Sequence, residues 1–211
     1  MSVVYVYVLD TLADWEIGYL TAELHSRRFF KKDAGEIMLK YVGRTKKSIT
    51  TMGGVTIMPD CEISEIVMDK TSVLLLPGAD TWNDSCHETI LEIAKELLEI
   101  GATVGAICGA TTALARTGIL DNRHHTSNGA GFLDMMVPQY RGQSYYVDCL
   151  SYADDNLITA GGTGALMWAK LIIERLHVFE PDALKAWYDY FRTGEAQYFF
   201  RLMQAVGESR S

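Results

Sequence analysis

No C-x-x-C pair occurs among the four cysteines, Cys61, Cys86, Cys108 and Cys149. The commonest zinc and dithiol motifs are therefore missing, and neither a metal nor a cofactor is expected. Proline is scarce, at four residues in 211, and low-complexity tracts are absent. A long disordered segment is thereby excluded. No apolar run reaches the ~18 residues that a membrane span needs. The opening Met1-Ser2-Val3-Val4-Tyr5 lacks the basic region of a secretory signal. Basic residues are in deficit, with 19 Lys plus Arg against 27 Asp plus Glu, a net charge of −8. That balance argues against nucleic acid and against anionic membrane surfaces as partners. With no signal and no need of disulfides, the expectation is a cytoplasmic chain with four free thiols.

What is present is a globular composition, 48% hydrophobic and 22% charged, long enough to bury a sizeable core. Val3 to Leu9 is a continuous β-branched and aromatic run, as in a strand buried on both faces of a parallel sheet. Asp14 is placed to cap a helix reaching about Phe30, with Trp15, Tyr19 and Leu20 on its apolar face. Strands follow at Glu36 to Val42, Val55 to Met58, Ser72 to Leu76, Thr103 to Ile107 and Leu157 to Ala160. Helices are expected over His87 to Ile100, Gly109 to Arg116 and about Thr163 to Leu176. The alternation predicts an α/β architecture with helices on both faces of a mainly parallel sheet. From Pro181 the texture changes. Ala183 to Val206 reads as helical and carries Trp187, Tyr188, Tyr190, Phe191, Tyr198, Phe199 and Phe200. The chain is thus divided into a domain over 1–180 and an aromatic helical extension over 181–211, expected to pack on the core.

The most informative segment is Val104-Gly105-Ala106-Ile107-Cys108-Gly109-Ala110-Thr111-Thr112. A buried strand meets a helix with a cysteine at the junction. Ala106 and Ala110 lie two residues to either side, in the spacing of a nucleophile elbow. So tight a turn leaves no room for neighbouring side chains beyond a methyl, and it predicts a strained backbone at Cys108. A thiol at a helix N-terminus faces unpaired N–H groups, which lower its pKa. The same pattern also fits a buried cysteine acting as a small hydrophobe.

This segment, continuing into Leu114-Ala115-Arg116-Thr117-Gly118-Ile119-Leu120-Asp121, resembles the ThiJ/PfpI superfamily, a class I glutamine-amidotransferase-like group. The resemblance extends over roughly residues 3–177 and points to a bacterial, YdeA-like branch. It includes Leu9-Asp10 with Asp14-Trp15-Glu16, Leu75-Leu76-Pro77-Gly78-Ala79-Asp80, and Thr159-Ala160-Gly161-Gly162-Thr163-Gly164. It implies a flavodoxin-like three-layer sandwich and a homodimer. It implies Cys108 as nucleophile and Glu16 as the acidic residue beside it. Such a pair titrates as a unit, with a protonated carboxyl donating to the sulfur. It further implies an oxyanion hole from the backbone N–H groups of Gly78, Ala79 and Gly109.

Two family features are missing. Peptidases of the group place a histidine directly after the cysteine, where this chain has Gly109. Many relatives carry a histidine at the end of a T-T-H segment, where this chain has Asn128. His124 and His125 lie just upstream, and one of them, taken as His125, is the candidate third catalytic residue. His87 is read as a surface residue. No H-x-E of a glutaminase triad is present. Two readings remain. One is an enzyme acting on a small carbonyl or acyl substrate, of glyoxalase, hydratase or hydrolase type. The other is a redox sensor or stress protein whose Cys108 is oxidised.

Overall fold

The structure is a computed structural model that describes residues 1–210, with side chains through 208. Among the described residues nine strands form, β1 (Ser2–Tyr7), β2 (Ile37–Gly43), β3 (Ile49–Thr50), β4 (Thr56–Ile57), β5 (Cys61–Glu62), β6 (Val73–Leu76), β7 (Thr103–Ile107), β8 (Ser151–Asp154) and β9 (Leu157–Ala160). The helices are α1 (Asp14–Ser26), α2 (Glu88–Glu99), α3 (Gly109–Arg116), α4 (Phe132–Met136), α5 (Ala165–Leu176), α6 (Pro181–Thr193) and α7 (Ala196–Arg210). Seven strands make one sheet in the order β5-β2-β1-β6-β7-β9-β8. All neighbours are parallel except β8 and β9, which run antiparallel. The central strands β6 and β7 are buried along their whole length, as their uninterrupted apolar runs require. The remaining pair, β3 and β4, is an antiparallel hairpin of its own. The flavodoxin-like α/β arrangement with C-terminal helices is thereby borne out.

The parallel sheet gathers the C-terminal ends of β1, β6, β7 and β9 at one edge. The first three open into segments that the sequence had singled out, and β9 runs into the double glycine Gly161-Gly162. Ligands of open parallel sheets bind in such a crevice.

Four local expectations are corrected. Asp14 is not the cap of α1; the cap position is Ala13. The Asp14 carboxylate instead accepts hydrogen bonds from Thr51 Oγ1 at 2.6 Å and Gly53 N at 2.7 Å, tying α1 to the hairpin. The helix stops at Ser26 because Arg27 adopts a left-handed conformation, φ 54°. Trp15 is 55% exposed rather than part of the buried face. His87 is buried, not on the surface. Its Nδ1 lies 2.8 Å from the Tyr7 hydroxyl, and burial holds it below the ordinary histidine range. With Asp84 and Cys86 it brings three potential metal-ligating atoms within 4.8 Å of one another, in a cavity that Arg44 and Lys47 also line.

The C-terminal segment is two helices, broken at Gly194 with φ 73°. Trp187 on α6 is fully buried and donates from Nε1 to Glu23 Oε1 on α1 at 2.9 Å. Ala183, Leu184, Leu202 and Val206 join the same apolar cluster as the sheet. Phe199 and Phe200 remain exposed, so only part of the aromatic run is core. No helix among the described residues is long and apolar enough to cross a membrane.

Candidate active site

Cys108 sits between β7 and α3 with φ 55° and ψ −122°, a conformation that costs a non-glycine residue about 1–3 kcal/mol. The surroundings over-determine it. The Cys108 N–H donates to Ala160 O at 2.9 Å, and its carbonyl accepts from both Thr111 N and Thr111 Oγ1. Thr111 Oγ1 is in turn 2.6 Å from Ser127 Oγ. The strain expected from the flanking alanines is present, and β9 and α3 hold it in place.

Glu16 enters from the first turn of α1 and is completely buried. Its Oε2 accepts the Gly78 N–H at 2.6 Å. Its Oε1 has no hydrogen-bond partner among the described residues. The group that Oε1 faces is the Cys108 thiol. Burial pushes the Glu16 carboxyl above its ordinary range, against the pull of the Gly78 N–H and of Cys108. Burial also pushes the Cys108 thiol up, and the charge of Glu16 adds to this, while Asn128 and the Gly109 N–H act in the opposite direction. The lowering expected from the helix N-terminus is opposed by the desolvation of sulfur and by the adjoining carboxylate. The two groups form one coupled unit.

Asn128 stands beside the thiol and the Gly161-Gly162 turn. Its Nδ2 donates to Cys108 Sγ at 3.4 Å, and its Oδ1 accepts the Gly162 N–H at 2.8 Å. His125 is elsewhere. It is fully buried, with Nδ1 2.7 Å from Arg123 O and Nε2 2.6 Å from Tyr140 Oη. Both ring nitrogens are thus engaged away from the thiol, and the expectation that His125 serves Cys108 is corrected. Its neighbour His124 is more than half exposed and faces Asp154.

Gly78 is corrected in role. Its N–H is committed to Glu16, so it cannot also polarise a substrate oxygen. What the position needs is space. A β-carbon there would lie 2.7 and 2.8 Å from the two Glu16 oxygens and 2.9 Å from Cys108 Cβ. Ala79 and Gly109 both line the cavity above the thiol. At Gly109 a β-carbon would meet Ala79 O at 2.9 Å. Any side chain directly after the cysteine would therefore require the 78–79 loop to move. Gly162 is a site residue that the Thr159–Gly164 motif carried without assigning it a role. A β-carbon there would sit 3.2 Å from Sγ. Trp82, Phe132, Met52 and Met136 complete the cavity, which measures about 280 Å³; nothing in their spacing announced them.

A family model described as DJ-1/PfpI family matches residues 2–175. The chain belongs to the DJ-1/PfpI family. Among Bacillus subtilis relatives, a protein named Uncharacterized protease YoaZ is 42% identical over 203 residues, 96% of this chain and 97% of its own length. Uncharacterized protease YdeA is 28% identical, over 84% of this chain and 85% of its own. A Caenorhabditis elegans protein named Glutathione-independent glyoxalase DJR-1.2 is 26% identical over 67% of this chain and 75% of its own. The crystal structure of a thiJ/pfpI family protein from Bacillus anthracis superposes with a TM-score of 0.94 at 43% identity, covering 97% of each chain. That agreement takes in α6 and α7, which lie beyond the residues that the DJ-1/PfpI model matches.

Proposed function

We propose that this DJ-1/PfpI chain is a small-molecule enzyme in which Cys108 adds to a reactive carbonyl and Glu16 moves the protons. The observation that carries the reading is Glu16 Oε1, a fully buried carboxyl oxygen without a hydrogen-bond partner, set against a strained thiol. The thiol is the group placed to share a proton with that oxygen, so the pair is set up to pass protons to and from a substrate. A raised carboxyl pKa also makes Glu16 a stronger base than an exposed glutamate.

For a 2-oxoaldehyde the steps balance without any further group. As Sγ bonds to the aldehyde carbon, Glu16 takes the thiol proton and returns it to the new alkoxide, giving a hemithioacetal. Glu16 then removes the hydrogen from that carbon to give an enediol, the hydroxyl proton of that carbon passes to the neighbouring oxygen, and Glu16 returns its proton to the neighbouring carbon. The product of this shift is a thioester of the 2-hydroxy acid. Water, deprotonated by Glu16, releases the acid and restores the thiol. The Ala79 and Gly109 N–H groups would hold the oxygen that carries charge in each addition. Peptide hydrolysis fits less well despite the names of the Bacillus relatives, because no histidine lines the cavity. The glyoxalase name of the nematode relative supports the carbonyl reading.

The test is turnover of a panel of 2-oxoaldehydes, followed by appearance of the 2-hydroxy acid. Wild type is expected to be active, and Cys108→Ser and Glu16→Gln to lose at least about a hundredfold. Absence of product from wild type, or equal rates in all three, overturns the reading. A second reading, a redox sensor, is favoured by the donors around Sγ. Asn128 Nδ2 is at 3.4 Å, and N–H groups of this kind would stabilise a sulfinate. An inactive wild type whose Cys108 gains two oxygens under mild peroxide before the other thiols would support it.

A further inference from the structure

We propose that the site selects an uncharged carbonyl compound with an apolar tail of about ring size; this rests on the role given to Cys108 above. The cavity over the thiol has two unlike ends. Glu16, Asn128, Ala79 and Gly109 converge on the sulfur. Beside Asn83 and Thr112, the rest of the lining is largely apolar, from Trp15, Met52, Trp82, Phe132 and Met136. Of these, Trp15 is 55% exposed, Met52 47% and Met136 48%. Three large apolar side chains held half in water around one opening mark a surface made to be covered. Methionine adapts to irregular or varied apolar shapes.

Charge points the same way. Among the described residues no Lys, Arg or His lines this cavity, and its lining includes Asp80. A neighbouring cavity of about 610 Å³ shares Trp15 and Asn128, and it too holds an acid, Asp148, and no cation. An anionic tail would therefore lose its hydration without gaining a partner, beside two carboxylates on a chain of net charge −8. At about 280 Å³ the inner cavity is close to the lower limit of ordinary ligand pockets. It suits one ring or a short branched alkyl group beyond the carbonyl. Added apolar contact in such a pocket is worth 10-fold or more in discrimination.

Two measurements on the full chain test this separately from the reaction. In the first, kcat/KM for phenylglyoxal should exceed that for methylglyoxal by about tenfold or more, and that for 4-carboxyphenylglyoxal, the same ring carrying an anion, should fall well below that for phenylglyoxal. In the second, which needs no turnover, Cys108 is alkylated by phenacyl bromide, iodoacetamide or iodoacetate. The modified peptide is quantified and each rate is divided by that of glutathione. Phenacyl bromide should lead iodoacetate by about tenfold or more. Phe132→Ala should shrink that lead several-fold. Met136→Lys, at a half-exposed position that tolerates charge, should raise iodoacetate relative to iodoacetamide by about fivefold at low salt. A normalised preference within twofold of unity in wild type, or one indifferent to both substitutions, overturns the assignment. Should no 2-oxoaldehyde turn over while the alkylation preferences hold, the cavity assignment stands and the reaction alone is wrong.

Discussion

Gly78 offers the sharpest test of the site, because a single methyl group there has calculable consequences. Its backbone lies outside the left-handed region, so alanine carries no conformational penalty and acts through space alone. The added carbon would stand 2.7 and 2.8 Å from the Glu16 oxygens and 2.9 Å from Cys108 Cβ, all closer than real β-carbons come. Glu16 is clamped by its 2.6 Å bond to Gly78 N, and Cys108 by its strained turn. The strain must therefore spread into both groups. Overpacking of this kind costs about 1–3 kcal/mol, which for a chain of this size lowers Tm by roughly 2–12 °C. Moving the carboxyl from the sulfur should cut turnover at least tenfold. It should also lower the pH at which Cys108 alkylates, because the charge of Glu16 helps to hold the thiol up. Gly18→Ala is the control, since no atom lies within 4 Å of its added carbon and the position is an exposed helix interior. It should raise Tm by about 2–4 °C. Calorimetry and a pH series of iodoacetamide labelling read both outcomes. A Gly78→Ala protein with unchanged Tm and an unchanged labelling profile would refute the stacking of Glu16, Gly78 and Cys108.

Three further outcomes follow from the titrating groups. Burial raises Glu16 in the fold, so the native state holds its proton longer than the unfolded chain does. Its contribution is complete below about pH 4.3 and is lost as pH rises through the folded value. Glu16→Gln should therefore gain Tm over wild type at pH 7–8, and the gain should vanish near pH 4. His125 has the opposite sign, because burial lowers its pKa. Its stability is present above about pH 6.5 and lost in acid. His125→Gln should flatten the fall in Tm between pH 7 and 5.5 and leave Cys108 labelling at pH 8 within twofold; a tenfold labelling loss would return His125 to the site. Asn128→Ala removes a donor that favours the thiolate, so labelling at pH 7 should drop several-fold. An unchanged rate would show that the 3.4 Å contact is inert.

Much of this molecule was legible from local pattern. Uninterrupted apolar runs at Val3–Leu9, Ser72–Leu76 and Thr103–Ile107 can only be strands buried on both faces, and their alternation with helices dictates a parallel sheet. Alanines flanking Cys108 require a turn with no room for larger side chains, and the structure shows the resulting φ of 55°. Glu16 and Asn128 were recognisable as the groups around the sulfur because motif order carries them. What only the tertiary structure decided are quantities that depend on residues distant in the chain. The environment of the thiol is one: the helix N-terminus is local, but the carboxylate and much of the burial that oppose it come from α1 and the 78–79 loop. His125 is another, since its ring is drawn away by Tyr140, fifteen residues on. Asp14, a plausible cap by sequence, was claimed by Thr51 and Gly53 instead. His87 was hidden by Tyr7, eighty residues earlier. Hydrophobic periodicity reports which face of an element is buried. It does not report against what, and the chemistry of a buried polar group is set by that second fact.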